Sequence, residues 1–173
     1  MVSRETHVEI PWELRRMLSL KYPHMGVYEA LIWERFLSKR LIKFEKLEYD
    51  VRVGRANVPR WLEDKLRALE RLVKQDYEKY YKEYEVVKAT YESYAALTKL
   101  RIDVVGHTRD AIWIIEVKTR AGRSALGQVL SYMHWYRIDY KPTKPLIGAV
   151  VCEATDPNMP PLFDKFGIRL FIV

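Results

Sequence analysis

The chain has 173 residues, with 30 Lys and Arg against 23 Asp and Glu, and a formal net charge of +7. At about 100–200 residues per domain, a single domain over 1–173 is expected, long enough to bury a core without staples. Hydrophobic residues make up 49% and charged residues 31%, which excludes a disordered chain, and no apolar run approaches the roughly 18 residues of a membrane helix.

Cys152 is the single cysteine, so an intrachain disulfide and a cysteine-based zinc site are both excluded. The opening MVSRETHVEIPWELRRM lacks an apolar stretch with a small-residue cleavage site. The expected setting is therefore intracellular and cytoplasmic, with no membrane partner. Two Gln and two Asn against many Glu, Lys and Arg resemble the usage of a thermophile. The positive balance points weakly to an anionic partner.

Apolar positions from Val8 to Leu20, interrupted by Pro11 and Pro23, predict a short helix over 11–20. A second helix is expected over 27–41, where Ala30, Trp33, Leu37 and Leu41 form a stripe. Leu47, Tyr49, Val51 and Val53 alternate with polar neighbours, the mark of a strand over 46–53. After Gly54 and Pro59, positions 62, 66, 69, 73, 77, 80 and 84 step by three or four. They predict one long amphipathic helix over 60–84, within a helical insertion of about 59–98. Its seam could pack on the core or on a second copy, a homodimer contact. Residues 85–98 show no clear period. The runs 100–106 and 112–119 read as a hairpin. A helix over 123–138, a buried strand over 146–152, a short helix over 161–166 and a last strand over 168–173 complete the chain.

Pairing His107 with Ile112 leaves the loop 108–111 and sets Asp103 across from Glu116, with side chains about 5 Å apart on one face. Lys118, two residues on, points to that face as well. Two carboxylates at that distance repel by about 3 kcal/mol at an effective dielectric near 20. Their neighbours Val105, Ile112 and Ile114 are apolar, and core positions rarely take such residues unpaired. A divalent cation resolves the conflict: Asp103, Glu116, a backbone carbonyl and waters suit Mg²⁺ or Mn²⁺. Lys118 could then orient or deprotonate an attacking water, or neutralise charge on a phosphate. The blander reading is a surface hairpin with a Glu–Lys pair. The run Ile112-Trp113-Ile114-Ile115 speaks against it, since a surface strand alternates more cleanly.

Ile102-Asp103, twelve further residues, then Glu116-Val117-Lys118, resembles the PD-(D/E)xK phosphodiesterase superfamily, which includes restriction endonucleases and Holliday-junction resolvases. Gln128 and Tyr132, at i and i+4, resemble the Gln-x-x-x-Tyr of that family's next helix. Ile102 stands where the family often has Pro. The resemblance covers roughly 27–55 and 99–151. It implies an α/β fold of restriction-endonuclease-like type, a mixed central sheet flanked by helices, with 59–98 as an insertion. It also implies Mg²⁺- or Mn²⁺-dependent hydrolysis of DNA. Asp103, Glu116 and the Val117 carbonyl would hold the metal, Lys118 would serve the water, and Gln128 and Tyr132 would position the site. The family adds an acid from the first helix. Glu29 and Glu34 are the candidates, and Glu34 is preferred because the stripe of 27–41 centres nearer to it.

Arg120 and Arg123 follow the lysine strand and could contact DNA phosphates, although ordinary solvation is the commoner fate of a single arginine. The six tyrosines at 77, 80, 81, 84, 91 and 94 could stack bases and more simply pack a helix. The histidines at 7, 24, 107 and 134 show no metal-ligand spacing. The rival to a nuclease is a non-catalytic nucleic-acid-binding or structural module that keeps the fold.

Overall fold

The structure is a computed structural model that describes residues 10–173; the expectations touching His7 and Val8 lie outside them. The elements run α1 (Trp12–Lys21), α2 (Val27–Ser38), β1 (Lys46–Val53), α3 (Arg60–Gln75), α4 (Tyr77–Thr98), β2 (Leu100–His107), β3 (Ile112–Ala121), α5 (Arg123–Tyr140), β4 (Leu146–Thr155), α6 (Pro160–Lys165) and β5 (Arg169–Ile172). The protein is α/β, with one five-stranded sheet in the order β1-β2-β3-β4-β5. Among the described residues no helix is long and apolar enough to cross a membrane. The chain separates into two compact units.

The first unit comprises the residues up to Val51 together with Ile102–Met133 and Pro142–Val173. Here β2 pairs antiparallel with β3, from Val104↔Ile115 to His107↔Ile112. β3 pairs parallel with β4, and β4 with β5, so the sheet is mixed. Helix α5 makes the β3-to-β4 crossover that a parallel pair requires.

Alternation along β4 separates two cores. Ala149 and Val151 join Val104, Ile115 and Val117 beneath Leu18 of α1 and Ala30, Trp33 and Phe36 of α2. Val150 and Cys152 join Ala125, Leu126 and Val129 of α5 and Phe163 of α6. The sheet is thus covered on both faces, which is why β3 and β4 read as nearly continuous apolar runs. Trp33 is fully buried and stacks on Phe36 with ring centroids 5.3 Å apart. Truncating it would cost about 3–5 kcal/mol. Leu41, counted in the helical stripe, falls beyond the end of α2 and is exposed.

The second unit comprises Arg52–Arg101 and His134–Lys141. It holds the segment predicted as an insertion, but the expected single helix over 60–84 is two helices. The chain turns at Asp76, whose backbone is extended at φ −146° and whose carboxylate accepts from the Lys79 amide at 3.1 Å. That aspartate is an N-cap, satisfying a donor that the first turn of α4 leaves free. The apolar seam continues across the break because the two helices face each other: Leu62 and Leu69 of α3 bury against Val87 of α4, flanked by Leu66, Leu72, Tyr84 and Tyr91. An ion pair between Lys65 and Glu83 at 3.0 Å spans the same junction. The seam expected to pack on the core or on a second copy packs, at Leu62 and Leu69, on α4 of the same chain. Gly54, at φ +83°, ends β1 in a conformation that favours glycine. Its amide donates to Asp139 at 2.8 Å.

Candidate functional site

β2 and β3 are rich in β-branched residues, which fit a covered sheet, and they bring three chemically active side chains into the first unit's interior. Continuing the Val104↔Ile115 register by one step sets Asp103 opposite Glu116. Asp103 is 9% exposed and Glu116 only 1%. Asp103 Oδ2 accepts from the Val117 amide at 3.0 Å, so the carboxylate takes a strand N–H as its partner and is fixed in place.

Glu116 Oε1 meets Lys118 Nζ at 2.6 Å, while Glu116 Oε2 is buried with no hydrogen-bond partner. The Lys118 ammonium also lies 3.5 Å from Glu29 Oε1. The other oxygen of Glu29 accepts from the Gly26 amide at 3.1 Å, capping α2. Three acids thus surround one lysine.

The protonation of the cluster follows from burial. Removal from water, and then the Asp103 charge, push the Glu116 carboxyl up to about 8, against the pull of Lys118. Asp103 is raised as well, chiefly by burial, with the Val117 amide and Lys118 opposing. At neutral pH the two carboxyls hold a proton that ordinary carboxylates would have lost. For Lys118, burial works against the ammonium. The Glu116 hydrogen bond, with the charges of Glu116, Asp103 and Glu29, outweighs it and lifts the group to about 12. In this arrangement Lys118 is a cation and a hydrogen-bond donor.

Gln128 and Tyr132 occupy one face of α5, as their spacing requires. Gln128 Nε2 donates to Tyr132 Oη at 3.2 Å. Burial, then the Glu116 charge, push the Tyr132 phenol up to about 12, so it stays neutral beside the carboxyls.

The acid that α2 supplies is Glu29, not the preferred Glu34. Glu34 turns to α1, where Lys21 Nζ lies 2.6 Å and Tyr22 Oη 2.7 Å from its Oε1. Burial raises its carboxyl, but these two donors outweigh burial and hold it below its ordinary value. The stripe of α2 locates the core, and Glu34 lies beside that core under α1. Glu29 reaches Lys118 from the helix's first turn. Its signal in the sequence is Gly26-Val27-Tyr28-Glu29, an acid three residues after an N-cap.

Val117 buries its side chain in the core with α2. Arg120 and Arg123 are exposed near the start of α5. Both are felt by Asp156, whose carboxyl is held low first by the Asn158 amide and then by these arginines. Among the described residues no three His, Cys, Asp or Glu side chains converge as a ready metal cage. The oxygen set is the Asp103–Glu116 pair. No family model, curated protein or solved structure matches the chain.

Proposed function

We propose that this chain hydrolyses DNA phosphodiester bonds with Mg²⁺ or Mn²⁺, on a sheet of restriction-endonuclease-like type. The supporting observation is a pair of buried carboxyls, Asp103 and Glu116, opposed across the hairpin, with Glu116 Oε2 buried and outside the Lys118 contact. Hard divalent cations take oxygen donors of this kind, and Mg²⁺ commonly uses one or two carboxylates plus waters and substrate phosphate. The residues fit the ion: Asp103 and Glu116 would hold it, joined by the Val117 carbonyl. When bound it supplies a lowered water pKa and charge for the phosphate oxygens.

The remaining chemistry belongs to the chain. The Val117 amide fixes Asp103, so the carboxylate does not have to be ordered on binding. Lys118 brings an ammonium within 2.6 Å of Glu116, placed to offset negative charge developing on a phosphate. Glu29 Oε1 lies 3.5 Å from the same ammonium. Tyr132 retains its proton and, tied to Gln128, offers a neutral hydroxyl to the site. Arg120 and Arg123 are exposed and suited to backbone phosphates of bound DNA.

The test is a cleavage panel of linear, circular, single-stranded and four-way DNAs in Mg²⁺, Mn²⁺ or chelator. Cleavage is expected with either cation and none in chelator. Asp103→Asn should abolish it and leave DNA affinity largely intact. Full activity in Asp103→Asn would remove the residue from the mechanism, and DNA binding without cleavage on any substrate would favour the non-catalytic module.

A further inference from the structure

Glu116 and Lys118 share one face of β3; Trp113, three residues earlier, points to the other. On that other face, within the first unit, a cleft of about 660 Å³ opens between the 41–45 segment, the β2–β3 turn and β5. This volume lies in the range of small-ligand sites, about 300–1,000 Å³. Lys43, Arg109 and Arg169 line it, together with Trp113 and Phe171. The two rings are 6.3 Å apart and tilted by 46°, and Trp113 is half-buried, which holds its ring in place. The three cations are exposed, and none forms an ion pair with a described residue. Glu45 and Asp110 also line the cleft, giving hydrogen-bond acceptors and leaving a cationic excess.

The wall chemistry selects a ligand class. A purely apolar ligand would have to desolvate three exposed cations. A bare inorganic anion would make no use of the indole. A group that is planar and anionic at once uses both. We propose that this cleft takes an unpaired nucleotide of a nucleic-acid strand, its base against Trp113 and its phosphates on Arg109, Arg169 and Lys43. Bases within a duplex are already stacked and hydrogen-bonded, so the ring is open only to a single strand. The proposal shares the nucleic-acid partner of the reading above, but uses none of its carboxylates, so the two fail separately.

Binding is read in EDTA, where metal-dependent cleavage is silent, by fluorescence anisotropy of a labelled oligothymidylate of roughly 12 nucleotides and of a duplex of the same length. Wild type is expected to prefer the single strand. Arg109→Ala combined with Arg169→Ala removes two exposed side chains and leaves the core alone. It should weaken single-strand binding roughly tenfold or more and lower the log–log salt slope by about 1.4. Trp113→Ala should lose about 5- to 100-fold, and Trp113→Phe should recover most of it. Lys74→Ala with Lys82→Ala, the same charge change on α3 and α4, should have little effect. Wild-type affinity in the arginine variant, an equal loss in the lysine control, or duplex binding as tight and as arginine-dependent as single-strand binding would each overturn the proposal. Cation-dependent cleavage with single-strand affinity indifferent to the two arginines would leave the hydrolase reading and remove the cleft; arginine-dependent binding without cleavage in any cation would do the reverse.

Discussion

Replacing Glu116 with Gln in metal-free buffer should stabilise the protein, and increasingly so as pH rises. Below about pH 4.5 a glutamic acid is protonated in both folded and unfolded chains, so its ionisation costs folding nothing. Between there and about 8, the folded value of Glu116, the unfolded chain releases the proton and the native chain retains it. Stability is therefore lost as pH rises through this window, fully so above it. At about 1.4 kcal/mol per pH unit the loss is bounded at roughly 5 kcal/mol. Asp103 shares the proton and the variant gives up the Lys118 ion pair, which leaves a net gain of about 1–3 kcal/mol at pH 9 and almost none at pH 5. For a chain of this length about 1 kcal/mol moves Tm by roughly 2–4 °C. Thermal unfolding in EDTA from pH 5 to 9 should show the variant melting about 3–10 °C above wild type at the alkaline end. Addition of Mg²⁺ should raise wild type alone, by about 3 kcal/mol at a hundredfold excess over Kd. Parallel curves for the two proteins across the pH range, or a variant several degrees less stable at pH 9, would refute the account of a strained carboxyl pair.

The two acids of α2 should separate. Glu29→Gln keeps an acceptor for the Gly26 amide but removes the charge beside Lys118, and should slow cleavage about tenfold with Tm nearly unchanged. Glu34→Gln should leave the rate alone and cost about 0.5–1 kcal/mol in urea unfolding, since its contact with Lys21 is solvent-screened. Gly148→Ala would place a methyl 2.5 Å from Met133 Sδ, 2.6 Å from Ile168 Cδ1 and 2.7 Å from Val129 Cγ1; the crowding should destabilise by about 1–3 kcal/mol in denaturant titration. Leu69→Ala empties the centre of the α3–α4 contact and should cost about 2–4 kcal/mol. Hydrogen exchange should show lost protection over 60–98 while the amides of Val104 and Ile115 hold.

Sheet elements were the most readable from sequence because period two is a strict code: once His107 was matched with Ile112, the opposition of Asp103 and Glu116 followed by counting. Helical positions were less readable where the deciding neighbour was remote. The partners of Glu34, Lys21 and Tyr22, are the last residue of α1 and the one after it, and no periodicity within 27–41 can announce them. Glu29 acts from the end of its helix, whereas a stripe argument ranks only faces. The break at Asp76 was hidden for another reason. It carries neither Gly nor Pro, and the apolar seam runs on through it because both helices present that seam to each other. Residues 85–98 show no clear period because most of α4 is exposed, with Val87 its single buried residue. The cleft at Trp113 is not legible in the sequence, since its cations come from three segments far apart in the chain.

Glu29 divides its two oxygens between the amide that starts α2 and the ammonium of Lys118. One carboxylate therefore serves both as a cap on the start of a helix and as a restraint on an ammonium group. Fraying of that first turn, ordinarily a harmless fluctuation of a helix end, would here also release the lysine, so exchange at the Gly26 amide should report how often the site is in register.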